Sequence, residues 1–511
     1  MDDSPNEPPT TRIATARGRW ILLTTVLGSS MVLLASTVTN VALPHIGEDL
    51  DADLAVLQWT VNAYMLTLAG LILLGGALGD RLGRRRIFVL GVVWFAVASL
   101  LCGVAADPAM LIAARALQGV GGALLTPGSL AIIEASFHPD DRARAVGLWS
   151  GFGGIASAAG PFLGGWLVDG PGWRWTFVLN VPLALVCVPV ALRHVPESVG
   201  APAPSDGVTV GRRPRFDVTG AVLGALALAL VTYALTEART AGSVATVAAL
   251  GGVAAGVAFV LVERRRPDPM MPLTIFASRR FTSVNLITIC VYAGLGGFFF
   301  MTSLQLQTVV GYSALGAGAA MLPTTVLMLF FSSQAGVLAQ RLGPRLPLTV
   351  GPLLCSAGML LMLRVDAGAS YVPDVLPGLV VLGAGMVIMV APLTVTLLTS
   401  VNSSNAGLAS GVNNAAARAA GLVAVAALPL LIGMAPDAYR SGAALEASFV
   451  RAMLFCAAVS GVGAAVVFVT LHGTAPQPHP AHGRVHGWSM EPPLAPRLTH
   501  HHGNKPSRET R

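Results

Sequence analysis

The sequence predicts an all-α membrane protein in which two six-helix bundles plus two extra helices give fourteen transmembrane helices. Composition is the first observation behind this prediction. Hydrophobic residues make up 54% of the 511 residues and only 11% are charged, whereas soluble domains are usually about 25% charged. The second observation is a series of apolar blocks of spanning length, and the third is a loop that occurs once in each half. All three disfavour a water-soluble fold.

Fourteen apolar blocks are bounded by charged residues, glycine and proline. A spanning helix needs roughly 20 mostly apolar residues, and each block is about that long. The seventh and eighth blocks are separated only by the short segment 237–242, so merging or discarding them would give twelve spans. The predicted spans are 20–42, 57–77, 87–106, 110–133, 144–168, 174–194, 218–236, 243–263, 281–303, 314–338, 346–364, 374–399, 406–432 and 447–471.

Arginine is concentrated in alternate loops between these blocks. The arginine loops include 81–86, 212–215 and 264–266, whereas the loops between them, such as 45–54, are neutral or acidic. By the positive-inside rule the arginine loops are cytoplasmic. An even number of spans then places both termini in the cytoplasm, with the chain in a bacterial inner (plasma) membrane. The arginines are not interleaved with aromatic residues, so no nucleic-acid surface is predicted.

An internal repeat relates the two halves of the chain. The segment GALGDRLGRR at 76–85 resembles GVLAQRLGPR at 336–345, and each lies between the second and third spans of a group of six. Two such groups with a helix pair between them indicate duplicated bundles around a site at the membrane midplane. The predicted parts are a cytoplasmic tail (1–19), an N-terminal six-helix bundle (20–194), a cytoplasmic linker (195–217), a two-helix insert (218–263), a second cytoplasmic linker (264–280), a C-terminal six-helix bundle (281–471) and a disordered cytoplasmic tail (472–511).

The first copy of this loop, GALGDRLGRRR at 76–86, combines glycines with one acid and several arginines. Glycine permits close helix approach and tight turns. An Asp–Arg pair that forms in one conformation and breaks in the other acts as a latch. The alternative is a loop that only sets topology by its positive charge. The predicted switch residues are Gly76, Asp80, Arg81, Gly83 and Arg84.

Three further segments contain residues that are unusual in a membrane helix or that change its packing. Arg115 lies several residues inside the fourth span, where a guanidinium costs about 3 kcal/mol unless it faces protein or a wet cavity. We expect it to face the central cavity; the alternative is an anchor hydrogen-bonded to backbone carbonyls. Arg418, nearer the inner end of span thirteen, carries a weaker form of this prediction. The run GPFLGG at 160–165 removes side chains and one backbone donor from one helix, which permits close packing and a bend.

These segments together resemble the major facilitator superfamily, in particular its fourteen-span drug/proton antiporter branch of the multidrug or antibiotic efflux type. The 76–86 loop has the form of the family's signature between spans two and three, and 111–123 resembles its fourth-span motif. The 160–165 run resembles the fifth-span motif associated with antiporters, and 173–182 is similar to the start of span six in that branch. The resemblance covers residues 20–471.

The resemblance implies roles for two sets of residues. Arg115 is implied to couple proton and substrate movement, with Arg418 as the second coupling candidate. The fifth-span motif is implied to be a gate between the two halves. Its residues are Gly160, Pro161, Gly164 and Gly165.

One position departs from the family pattern. The branch commonly has an aspartate in the first span, but this chain reads LASTVTNVALP at 34–44, with Ala35 in its place. A desolvated carboxylate with a raised pKa is the obvious proton carrier in such a site, and no Asp or Glu lies near the middle of any predicted span. Proton coupling therefore stays open, and cationic drugs, which such an acid attracts, are less favoured.

The remaining candidates for the cavity lining are neutral. In lipid-embedded helices, amide side chains usually face neighbouring helices or a cavity, and we expect about half of these residues to line it. The candidates are Thr37, Asn40, Asn62, Tyr64, Gln118, Asn285, Phe299, Gln305, Asn413 and Asn414.

The predicted function is export of small hydrophobic or amphipathic compounds by alternating access, with the proton as coupling ion and no other cofactor. The alternatives are an uncoupled facilitator or an exporter of a dedicated metabolite, and, in a different class, a non-transporting membrane sensor. No GxSxG elbow, P-loop lysine or HExxH motif is present, so no enzyme is predicted. The cysteines lack metal-ligand spacing and the run His500–His502 is interpreted as solvated, so no metal site is predicted. The expected partners are a small-molecule substrate and the lipid bilayer, with the chain as a monomer.

Overall fold

The computed structural model describes residues 11–199, 217–266, 269–401, 406–435 and 437–471, with the main chain alone at 143, 150, 158, 333, 336–341, 406 and 440. The start of the predicted N-terminal tail, most of the 195–217 linker and the predicted C-terminal tail with His500–His502 lie outside the described residues. The side chains of most of the second loop copy, 336–341, are also outside them. The predicted division into domains stays a prediction.

Fourteen helices of the described chain are long and apolar enough to cross a membrane, which confirms the predicted number. Helices are expected here because lipid offers no partner for backbone N–H and C=O groups, and a helix satisfies them internally. The helices are α1 (Ala16–Asp49), α2 (Leu54–Leu82), α3 (Arg84–Gly103), α4 (Pro108–Ser136), α5 (Pro139–Asp169), α6 (Trp175–His194), α7 (Val218–Thr236), α8 (Ser243–Arg265), α9 (Arg279–Val309), α10 (Ala314–Ala320 and Leu322–Leu342), α11 (Arg345–Arg364), α12 (Tyr371–Leu398), α13 (Ala406–Leu431) and α14 (Gly442–Thr470).

Several helices extend beyond the predicted spans because their ends are fixed by capping residues outside the apolar blocks. The side chain of Thr15 accepts a hydrogen bond from the Gly18 N–H and starts α1 upstream of the predicted residue 20. Asp53 starts α2 in the same way by accepting from the Val56 N–H at 2.9 Å. Such caps satisfy N–H groups that the first helical turn leaves free. Hydropathy locates the segment in lipid, and the caps locate the helix ends.

The helices pack as two six-helix halves, α1–α6 and α9–α14, with α7 and α8 as an extra pair. Helix α7 contacts α2 of the first half and α13 of the second, whereas α8 packs mainly on α7. The outer side of α8 is apolar and uncovered: Val247, Leu250 and Val253 are 69%, 67% and 62% exposed. A continuous apolar face of this kind is expected to contact lipid. The extra pair therefore sits at the edge of the bundle, across the line where the halves meet.

The two membrane faces differ in charge. We call the face with both ends of the described chain and the loop between α2 and α3 the arginine face, and the other the opposite face. Arg84, Arg85 and Arg86 begin α3 at the arginine face. The opposite face carries the capping acids Asp53 and Asp107.

Candidate functional site

The two halves contact each other near the opposite face. The Gln58 amide of α2 donates to the carbonyls of Val425 and Ala426 in α13, at 2.6 and 3.1 Å. At the same depth the Ser303 hydroxyl of α9 donates to the Asn40 carbonyl of α1 at 2.7 Å, and the Gln307 amide donates to the Val41 carbonyl at 3.0 Å. In each pair, the donor and the acceptor come from different halves. We call this set of contacts the seam.

Asp169 adds a charged contact to the seam. It ends α5, and its two carboxylate oxygens accept from the N–H groups of Ala314 and Leu315 at 3.1 and 2.9 Å. Those N–H groups begin α10, so a carboxylate of one half caps a helix of the other. A negative charge at a helix N-terminus is stabilising because it satisfies free N–H groups and opposes the helix dipole. Sequence reasoning did not single out Asp169.

The predicted gate residues lie beside this contact. A side chain at Gly160 or Gly164 would collide with Thr37 or Val38 of α1, in the same half. A side chain at Gly165 would collide with the Ala314 backbone, and one at Gly318 of α10 with the Pro161 carbonyl. The glycine-rich half of α5 is therefore held between α1 and the facing helix of the other half, as a gate between the halves requires.

The same face of α5 is uncovered toward the arginine face. Helical spacing places 147, 151 and 154 in line with Pro161 and Gly165. An added Cβ at Gly147, Gly151 or Gly154 would meet no described atom within 4 Å. This face of α5 contacts α10 at Pro161 and Gly165. Two to four helical turns from Pro161, toward the arginine face, it no longer contacts a described atom of the other half. The α5 and α10 sides of the two halves are therefore in contact near the opposite face and apart toward the arginine face, whereas Leu73 of α2 still lies against Gly411 of α13.

The extra pair also bridges the halves at the opposite face. The Trp59 indole N–H of α2 donates to the Glu237 carboxylate at 3.1 Å, and the Arg239 guanidinium donates to the Met434 carbonyl of the second half at 2.7 Å. Glu237 and Arg239 lie in the turn between α7 and α8. This short turn thus reinforces the seam from outside.

Arg115 is enclosed by protein. Its side chain is 1% exposed, and its guanidinium donates to the Thr60 carbonyl at 2.9 Å and to the Gln118 side chain. The charge also lies 4.3 Å from the centre of the Tyr64 ring, where a cation–π contact is favourable. The expectation that Arg115 faces the open cavity is wrong for this conformation. A backbone carbonyl, the alternative partner, holds it.

Five of the cavity candidates are also bonded inside a half. Tyr64 donates to the Val32 carbonyl at 3.0 Å, and Gln118 donates to Ser99 at 2.7 Å. The Gln305 amide donates to the Val365 carbonyl at 2.9 Å. The Asn413 amide donates to Asn285 and Thr288, at 3.2 and 2.8 Å, and so joins α13 to α9. These side chains stabilise the halves because each has a bonded partner away from the seam.

Apart from Asn414, the other candidates lie at the seam or about one helical turn from it. Asn40 and Asn62 each leave amide atoms buried without a described hydrogen-bond partner, and Thr37 bonds to its own helix against Gly160. Asn414 is exposed, and Phe299 is half-buried beside Phe298. Their roles in substrate binding stay predictions.

The loop between α2 and α3 forms a charge cluster within the first half. Arg84 pairs with Asp80 at 2.8 Å and donates to the Ala131 carbonyl of α4 at 3.2 Å. Glu197, after α6, accepts from the Arg85 N–H at 3.0 Å and pairs with the Arg85 and Arg86 guanidinium groups at 3.6 Å. Arg81 lies in the last turn of α2, and Gly76 faces Pro127 of α4. The predicted Asp–Arg pair exists; its opening and closing as a latch stays a prediction.

Sequence reasoning missed the seam donors Ser303 and Gln307, and it also missed Glu197 and Asp169. Each of the latter two is a lone acid, and each acts through backbone N–H groups of a distant segment. The available signal was weak: Glu197 is an acid on the face of the arginine cluster, and Asp169 follows the glycine-rich motif directly. Neither position indicates a partner without the tertiary fold.

The protein matches one family model and several curated relatives over most of its length. Residues 25–426 match the family model of the Major Facilitator Superfamily. A puromycin resistance protein from Streptomyces alboniger is 37% identical over 82% of this chain and 83% of the relative. A tetracenomycin C resistance and export protein from Streptomyces glaucescens is 34% identical over 84% of this chain and 79% of its own. The multidrug resistance protein Stp of Mycobacterium tuberculosis is 35% identical over 77% and 72%.

Solved structures share the fold at low identity. A crystal structure of a POT family transporter with a thioalcohol-conjugated peptide aligns with a TM-score of 0.67 at 14% identity, and covers 90% of this chain and 97% of that one. A bacterial homologue of the human lysosomal transporter Spinster aligns with a TM-score of 0.60 at 17% identity, over 89% and 96%. These likenesses support the fold alone.

Gly83→Ala tests the loop. Gly83 has φ +110°, which L side chains rarely adopt, and an added Cβ would lie 2.6 Å from a Glu197 carboxylate oxygen. We expect Gly83→Ala to lower the free energy of unfolding by roughly 2 kcal/mol. The matched control is Gly79→Ala, whose Cβ would meet only Arg84 at 3.9 Å. Thermal unfolding in detergent measures both; equal melting temperatures would contradict the account.

Asp169→Ala tests the seam. Removing the inter-half cap costs about 1 kcal/mol of closed-state stability, which is roughly a fivefold shift in a two-state equilibrium. We expect a cysteine at Val41, which is 1% exposed, to react faster with an impermeant maleimide from the opposite face. Asp107→Ala is the control because Asp107 caps Met110 within one half at 2.9 Å. A similar rate increase in both variants would remove Asp169 from the gate.

Proposed function

The chain belongs to the Major Facilitator Superfamily and is a drug efflux transporter; from this premise we propose that it exports small apolar or amphipathic compounds by alternating access, driven by protons. The observation that carries the proposal is the α5 stripe, which is packed on the other half near one face and uncovered toward the other. Such an arrangement is one of the two states that alternating access requires. Its relatives are transporters named for resistance or export.

We propose that the chain lies in a bacterial inner membrane with the arginine face in the cytoplasm, in accord with the positive-inside rule. The state described here is then open to the cytoplasm, where an exporter collects its substrate. The chain would work as a monomer, bind no nucleic acid and use no cofactor other than the proton. The matched family and relatives are transporters, and we propose no enzymatic activity.

Asp169 links the two halves at the opposite face. Among the described residues it is the carboxylate that caps a helix across the seam. Breaking this contact loosens the seam and favours opening toward the opposite face. Ala35 supports the second candidate, an uncoupled facilitator or a dedicated metabolite exporter.

Inverted membrane vesicles test proton coupling directly. We expect a panel of fluorescent amphipathic compounds to accumulate when the interior is acid and to be released by an uncoupler. Asp169→Asn removes the negative charge from the cap across the seam but keeps an amide acceptor, so we expect transport to be reduced several-fold and not abolished. Accumulation that ignores the uncoupler in the wild type would refute antiport and favour the facilitator.

Ala35→Asp tests what the missing acid means. Ala35 is 3% exposed and packs in the same apolar cluster as Tyr64 and Leu68, so an aspartate there is desolvated and tends to stay protonated near neutral pH. We expect export to become more steeply dependent on pH than in the wild type. Ala35→Asn has the same shape without a titrating group and is the control; equal pH profiles for both variants would contradict the prediction.

A further inference from the structure

We propose that this transporter selects anionic ligands, in which an apolar body carries one carboxylate, phenolate or enolate, and that Arg418 binds the negative oxygen. The inference rests on the proposed export function and names the substrate class of that site. It follows from the depth of Arg418, from its unsatisfied donor and from the distribution of charge around it.

Two contacts fix where Arg418 lies. Helices α2 and α13 run antiparallel, with Gln58 bonded to Val425 and Ala426 at one end and Leu73 beside Gly411 toward the other. Extending this register places Arg418 opposite residues 65 and 66, midway along both helices. The prediction that Arg418 lies nearer the inner end of its span is therefore wrong. It sits at mid-depth, on the α13 face that meets the other half.

Arg418 has an unsatisfied hydrogen-bond donor there. Its Nε is buried and finds no hydrogen-bond partner among the described residues. Its charge acts on the hydroxyl groups of Tyr64, from the first half, and Tyr292, from the second. Buried donors are normally bonded, and an unpaired one next to a charge is costly. Arg418 as a whole residue is only partly buried, so we infer that a ligand approaches the guanidinium and supplies an acceptor.

An unpaired amide lies one turn away. Asn62 is 0% exposed, and both polar atoms of its amide lack a described partner. The same register puts Asn62 opposite Leu422, one helical turn from Arg418 toward the opposite face. Toward the arginine face Asn414 is exposed, and Tyr292, which lies level with Gly421, is 36% exposed. Polar groups of both halves therefore lie around the middle of α13, where Arg418 is placed.

The charge around this point is positive. On the described spanning helices the carboxylates lie near helix ends, as Asp80, Glu134 and Glu446 do. Arg115 and Arg418 approach Tyr64 from the two halves, and neither has a described carboxylate partner. A charge is screened little in a low-dielectric site, so a cationic ligand is repelled there. An anionic oxygen matches the planar, multi-donor guanidinium.

Binding of three probes with one ring system tests the inference. The probes are 9-anthracenecarboxylate, 9-anthracenemethanol and 9-(aminomethyl)anthracene, which are anionic, neutral and cationic at neutral pH. We measure fluorescence binding to the purified full-length chain in lipid nanodiscs. One charge-assisted contact predicts that the carboxylate binds about tenfold more tightly than the alcohol, and that the amine binds least. Arg418→Gln should abolish this preference.

Two further variants distinguish loss of the Arg418 contact from a general loss of folding. Arg418→Lys keeps the charge without the planar donor set, so the carboxylate preference should fall but not vanish. Arg451→Gln removes an exposed arginine of α14 that bonds within its own helix, and should leave the preference unchanged. An equal affinity of the wild type for all three probes, or a preference that survives Arg418→Gln, overturns the inference.

A transport measurement distinguishes failure of this inference from failure of the proposed function. If inverted vesicles accumulate the neutral alcohol while the carboxylate shows no binding preference, the inference is wrong and the exporter assignment stands. If the vesicles accumulate none of the probes and the protein binds none of them, both are contradicted. Preferential binding and accumulation of the carboxylate, lost together in Arg418→Gln, supports both.

Discussion

The seam between the two halves is the contact on which the rest of the account depends. Gln58, Ser303 and Gln307 each donate from one half to backbone carbonyls of the other, and Asp169 caps a helix across the same line. Hydrogen bonds to backbone form without deforming either half, so they break and reform as the halves rock. A seam made of a few polar bonds is strong enough to define a state and weak enough to release it.

Burial of charge explains why the halves themselves stay rigid. Arg115 is enclosed by a backbone carbonyl, an amide and an aromatic ring of its own half. Moving that guanidinium out of its pocket would break several bonds at once, so the first half moves as a unit. Asn413 joins α13 to α9 in the second half by the same principle. Polar groups that are bonded within a half therefore hold its helices together.

The sequence allowed much of the fold to be predicted, because lipid forces apolar blocks into helices and arginine loops onto one face. The glycine-rich fifth helix and the arginine loop were also evident, because their composition is unusual locally. The surroundings of Arg115 and the depth of Arg418 were not evident from the sequence. Whether a polar residue points into its bundle or across the seam depends on helix rotation, and a shift of one residue turns a side chain by about 100°. Asp169 and Glu197 act on distant backbone groups, which no local pattern reveals.

The central claim is that the halves rock about the seam, and paired distances test it most directly. Double electron–electron resonance measures the distance between two spin labels. Labels at residues 171 and 312 report the separation of the halves at the opposite face, and labels at 138 and 342 report it at the arginine face. With saturating substrate and an acid pH at the opposite face, the account predicts a longer distance in the first pair together with a shorter one in the second. Distances that stay fixed, or that change in only one pair, would contradict alternating access.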